Sequence, residues 1–127
     1  MSGETLPPKP SLLVVEDDAL LRWSLREKFA AAGWEVLEAE SGFAGLSAAT
    51  GRAVDLALVA VSLPDLDGEA LAAKLAAAHP ECRLVLMASA ERPEALAPRP
   101  GGWPLLEKPF DLDELVGWAG RPASGTG

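Results

Sequence analysis

A single cysteine, a single histidine and no long apolar run set the first limits on this 127-residue chain. Cys82 by itself excludes an internal disulfide and fits a reducing cytoplasm; a lone cysteine opening a strand reads as packing, not as a reactive thiol. The strand-like runs 11–15, apolar after Ser11, and 56–61 fall far short of the roughly 20 residues that span a bilayer, so no membrane contact is expected. Residues 1–10 are polar and proline-rich and lack the basic end and apolar stretch of a secretory signal. Clustered basic residues are missing too. The chain has 11 Lys and Arg against 19 Asp and Glu, a net charge of −8, and its basic residues form no stripe, which argues against direct nucleic-acid binding. Neither G-x-G-x-x-G nor G-x-x-x-x-G-K-S/T occurs, and His79, beside Pro80 at a helix end, reads as a cation complementing a helix dipole.

What is present is enough for one globular domain, with 49% apolar and 24% charged residues. Residues 11–15, continuously apolar after Ser11, show the pattern of a strand buried on both faces. Leu21, Leu25, Phe29 and Ala32 then recur at helical spacing, which predicts a helix over 19–32 stopped by Gly33. Strands are expected at 34–39, 54–61, 84–87 and 105–107, and helices from a Ser41 cap to Ala49, over 69–78 and over 111–119. Strands alternating with helices imply a parallel sheet covered on both faces. In such sheets chemistry collects beyond the carboxyl ends of the strands. The residues at those ends are Glu16-Asp17-Asp18, Ala60-Val61-Ser62, Ser89-Ala90 and Lys108-Pro109.

Carboxylates on neighbouring strand ends can hold a hard cation such as magnesium, and a nearby hydroxyl and lysine can neutralise a phosphoryl group. The acidic triplet has a second reading of equal weight, as the capped, dipole-favoured start of a helix. Taken singly, Lys108 is a surface charge and Ser89 a turn residue; only their joint placement favours a site.

In that placement the sequence resembles the receiver domains of response regulators, over about residues 11–119. Leu12-Leu13-Val14-Val15-Glu16-Asp17-Asp18 is similar to the family's first strand and acidic pair, here Glu16 and Asp17. Residues 54–59 with Ser62-Leu63-Pro64-Asp65-Leu66-Asp67-Gly68 resemble the third strand and its loop. Residues 84–90 resemble the fourth strand with its hydroxyl, Ser89, and Glu107-Lys108-Pro109-Phe110 the lysine-proline motif, whose peptide bond is usually cis. The resemblance implies a flavodoxin-like (βα)5 fold, an α/β domain with a five-stranded parallel sheet and helices on both faces. Residues 1–10 would then be a disordered lead and 120–127 a flexible tail.

The family's phospho-acceptor aspartate falls at Ala60, and neither Asp55, Asp65 nor Asp67 can slide into its place. A methyl group accepts no phosphoryl group. The implied magnesium (Mg2+) ligands shrink to Glu16, Asp17 and the Ser62 backbone carbonyl, a weak or vestigial set, with Ser89 and Lys108 as the phosphoryl-contact positions. The switch aromatic, three positions before the lysine, is Leu105. Pro93, Pro98, Pro100 and Pro104 make a regular helix improbable over 92–104. The expectation is a phosphorylation-incompetent receiver acting by protein contact, with no catalytic residue. Its partner would be a histidine kinase, a phosphotransfer protein, another signalling protein or a second copy in a homodimer. Two alternatives stand beside it: an ordinary receiver carrying an engineered Asp-to-Ala change at Ala60, and a small flavodoxin-like ligand-binding enzyme. Leu20-Leu21-Arg22-Trp23-Ser24-Leu25-Arg26 is similar to receivers of enhancer-binding transcription activators, and Trp103, in an irregular loop, is the expected exposed contact residue.

Overall fold

The computed structural model describes residues 9–89 and 102–121. In chain order these contain β1 (Ser11–Val15), α1 (Ala19–Ala31), β2 (Glu35–Ala39), α2 (Gly42–Ala49), β3 (Leu56–Ala60), α3 (Gly68–Ala78), β4 (Arg83–Ser89), β5 (Leu105–Lys108) and α4 (Leu112–Ala119). The strands lie in the order β2-β1-β3-β4-β5, and every neighbouring pair is parallel. The chain therefore steps outward from β1 to β2 and back across to β3, so the order reverses between β1 and β3. Loops leaving those two strands diverge there and open a crevice.

Period-two alternation divides the sheet between two apolar layers. Leu12, Val14, Leu56, Leu58, Val85 and Met87 face Leu25 and Phe29 of α1 and Leu115 of α4. Leu13, Val15, Ala57, Val59, Leu84 and Leu86 face Ala49 of α2 and Leu71, Ala72 and Leu75 of α3. Each large side chain so buried contributes about 1.5–3 kcal/mol. Phe29 and Trp34 meet edge to face at 5.3 Å, which fixes the turn from α1 into β2.

The ends of the elements are set by hydrogen bonds that the sequence pattern shows only in part. α1 stops at Ala31 and turns through Gly33, whose φ of +95° suits a residue without a Cβ. β3 is shorter than 54–61 because its ladders run only from Leu56, to Val59 with β1 and to Ala60 with β4. β4 is longer than 84–87 because Ser89 still pairs in register with Lys108. The expectation of an irregular 92–104 falls mainly on residues 92–101, outside those described. Trp103 corrects its expectation: it is half-buried and packs against the α2/α3-side core instead of standing free. His79 closes α3 through its backbone N–H, which donates to the Leu75 carbonyl at 2.7 Å. No helix among the described residues is long and apolar enough to cross a membrane.

Candidate functional site at the strand ends

The alternation that builds the α1/α4-side core also aims the site. Glu16 continues the row of Leu12 and Val14, Ala60 that of Leu56 and Leu58, Ser89 that of Val85 and Met87, and Lys108 that of Leu106. All four reach the carboxyl end of the sheet in the same phase. With Asp17, Asp18 and Ser62 they line a cleft of about 190 Å³. Leu105 does not belong to it; its side chain packs, half-buried, against the α2/α3-side core. A larger groove of about 330 Å³ lies by β5 and α4, lined by Leu106, Phe110, Leu115 and Trp118 with Asp111 and Glu114.

Glu16 is 1% exposed. Its Oε1 accepts from Lys108 Nζ at 2.6 Å, and its Oε2 accepts from the Asp18 N–H at 3.0 Å. Burial pushes the Glu16 carboxyl above the ordinary range; the Lys108 ammonium and the Asp18 amide offset part of that rise. The backbone is held as firmly. The Glu16 N–H donates to the Ala39 carbonyl at 3.0 Å, and the Glu16 carbonyl accepts from Arg22 Nη1. Arg22 is braced in turn by Glu38 at 3.5 Å, and Arg26 reaches the other Glu38 oxygen at 3.3 Å.

Only the helix-start reading of the acidic triplet is met, and by Asp18. Asp18 caps α1, its side chain accepting from the Leu20 and Leu21 amides, whereas Glu16 is an interior ion-pair partner. Asp17 stands exposed at the cleft. Ala60 is 2% exposed, in register with Met87. Ser62 is exposed and Ser89 half-buried. The Lys108–Pro109 peptide is cis.

Asp65 has a role that sequence reasoning missed. Its carboxylate accepts from the Gly42 N–H at 2.8 Å and the Phe43 N–H at 2.9 Å, clamping the β3–α3 loop to the start of α2. These amides, that of Phe43 foremost, hold its carboxyl below the ordinary range. Ser41, the expected cap, serves the Ala44 N–H at 3.1 Å, so two side chains share this helix start. Only Ser41 was legible, because it is local. Cys82 behaves as expected of a packed thiol: burial pushes it up to about 11.

Receiver domains in general bind magnesium in an acidic pocket, and the residues here are a poor match for it. Magnesium takes oxygen ligands at about 2.0–2.1 Å in near-octahedral geometry. Both Glu16 oxygens are already engaged, and the β3 end offers a methyl group. No group of three or more His, Cys, Asp or Glu side chains that could hold a metal occurs among the described residues.

The family model for the response regulator receiver domain matches residues 12–119. The chain is 33% identical over 113 residues to the DNA-binding transcriptional regulator NtrC of Klebsiella pneumoniae, covering 87% of this chain and 24% of that protein. It is 38% identical over 109 residues to the transcriptional activator protein PfeR of Pseudomonas aeruginosa, covering 85% and 36%. The chain therefore spans about a quarter to a third of these curated relatives. Among solved structures, the receiver domain of NtrX from Brucella abortus superposes with a TM-score of 0.77 at 29% identity, covering 91% of this chain and 99% of that one.

Proposed function

This chain belongs to the response-regulator receiver family, and from that premise we propose that it is a degenerate receiver, signalling by protein contact without a phosphoryl switch. The observation that carries the proposal is Ala60, a methyl group lining the cleft in phase with Glu16, Ser89 and Lys108. In this reading Ala60 holds the acceptor position. Ser89 and Lys108 are the former phosphoryl contacts, and Glu16, Asp17 and the Ser62 carbonyl the former cation ligands. Leu105 replaces the switch aromatic, and its place in the α2/α3-side core is consistent with a side chain that does not swing outward.

Receivers work with histidine kinases and phosphotransfer proteins, and this chain would meet a partner of that kind in the cytoplasm. A link to DNA, as the name of NtrC states for that protein, would run through a partner or a separate domain, since the net charge of −8 disfavours direct contact. The module is non-enzymatic in this reading. A second reading, an ordinary receiver with an engineered alanine at Ala60, draws on the survival of Glu16, Ser89 and Lys108 in one cleft. Reading the source gene at that codon separates the two.

The test is incubation with acetyl phosphate and magnesium, followed by intact-mass measurement. No acid-labile adduct should form, because no carboxylate occupies the β3 end. A phosphate adduct on any pocket carboxylate overturns the proposal.

A further inference from the structure

We propose that Lys108 acts as the pocket's own cation, stapling β5 to β1 through Glu16 and closing the cleft to divalent metals. Lys108 sits on β5 and Glu16 just past β1, and β3 and β4 lie between those strands in the sheet. The ammonium crosses that gap to reach Glu16 Oε1 at 2.6 Å, at the short end of charge-assisted hydrogen bonds. With Ala60 lining the space between, no carboxylate at the β3 end competes for the lysine.

Two consequences follow from the charges. Glu16, Asp17, Asp18 and Lys108 leave two net negative charges on the cleft lining, where a carboxylate at position 60 would leave three, so the attraction for a divalent ion is weakened. A metal that took Glu16 would also have to expel an ammonium that is only 24% exposed, leaving it partly buried and unpaired. Glu16 cannot swing out to avoid this competition. Its second oxygen is held by the Asp18 amide and its carbonyl by Arg22. The closed pocket is therefore cation-independent, and so is any partner contact made by the β1, β3 and β5 ends around it.

The inference rests on Ala60 as the acceptor position only to explain why Lys108 turns to Glu16. Its test reads metal binding, not phosphorylation, so either claim can fail while the other stands. The experiment is a magnesium chloride titration of the full chain by nitrogen–proton NMR, at ionic strength held constant with sodium chloride, following the Lys108 ammonium and the Ser89 amide. The unaltered chain should show no saturable shift through the millimolar range. Lys108→Gln should bind magnesium at least about tenfold more tightly, because a positive charge has left the cleft. Lys108→Arg should stay closed. Saturable binding by the unaltered chain as tight as that of Lys108→Gln overturns the proposal, and so does a folded Lys108→Gln that gains nothing. If circular dichroism shows Lys108→Gln unfolded, the unaltered chain still decides: an ammonium signal that persists through the titration supports the staple, and one displaced by magnesium refutes it.

Discussion

The ends of β1 and β3 face the same crevice and have been built in opposite ways. β1 runs out into Glu16, a buried charge whose two oxygens, N–H and carbonyl all have partners. β3 runs out into Ala60, which brings no polar side-chain atom, and there the backbone does the fitting. The Gly68 N–H donates to the Val61 carbonyl at 2.9 Å, and a Cβ on Gly68 would lie 2.1 Å from the Ala60 carbonyl oxygen. One end is held by side-chain electrostatics and the other by close backbone approach. The frame around this strand end does not depend on which side chain stands at position 60, since its contacts run through the Ala60 carbonyl.

The largest expected effect strikes the β3 end. Gly68→Ala pushes a methyl into rigid backbone at the start of α3 and should destabilise the fold by about 3 kcal/mol, read as a fall in the denaturation midpoint. A loss below the noise would mean that α3 is free to shift and that close packing does not define this end. At β1, Glu16→Ala strands the Lys108 ammonium and the Asp18 amide. Because Lys108 keeps some water contact, the expected cost is about 2 kcal/mol, below that of breaking a fully buried pair. Equal stability of the variant would show the ion pair to be incidental.

Ala60→Asp makes the two ends alike. The added carboxylate crowds Glu16 and Asp17 and should cost about 1–2 kcal/mol without metal. It should also create magnesium affinity, so that magnesium raises the melting temperature of the variant by mass action while leaving the unaltered chain almost unmoved. Equal responses in both would place Ala60 away from the acidic pair. The smallest effect concerns Asp65. Its carboxyl is held below the ordinary range in the folded chain, so its contribution is present above the unfolded value and is lost as pH falls through the folded one. From about pH 4 downward, where free aspartate titrates, Asp65→Asn should therefore lose less stability than the unaltered chain. Superimposable acid limbs in pH-dependent melts would contradict the clamp on α2.

Much of this architecture was legible in short stretches of sequence. The runs 11–15, apolar after Ser11, and 56–61 stand out as strands, and Asp18 and Ser41 stand where helix starts need acceptors; each does cap its helix. Glu16, Ala60, Ser89 and Lys108 were named from their places at strand ends and from the family resemblance before any strand was paired; counting by twos from Leu12, Leu56, Val85 and Leu106 shows why they share one cleft. Strand limits were less legible, because a ladder ends where its partner ends, as at Val59 and Ser89. Asp65 was weighed only as a misplaced acceptor, since nothing near it in sequence reveals that its partners are the amides of Gly42 and Phe43.

The sequence by itself determined the alternation of strands and helices, the phase of each strand, and the methyl group at position 60. These follow from covalent geometry and from periodicities that act within a few residues. Only the tertiary structure decided that Lys108 pairs with Glu16, 92 positions away, that Arg22 and Glu38 brace the acidic loop, and that Trp103 turns toward the core. Each of those choices is a competition among partners of like chemistry, and it is settled only when the sheet closes and brings some of them within hydrogen-bonding or packing distance while leaving the rest in water.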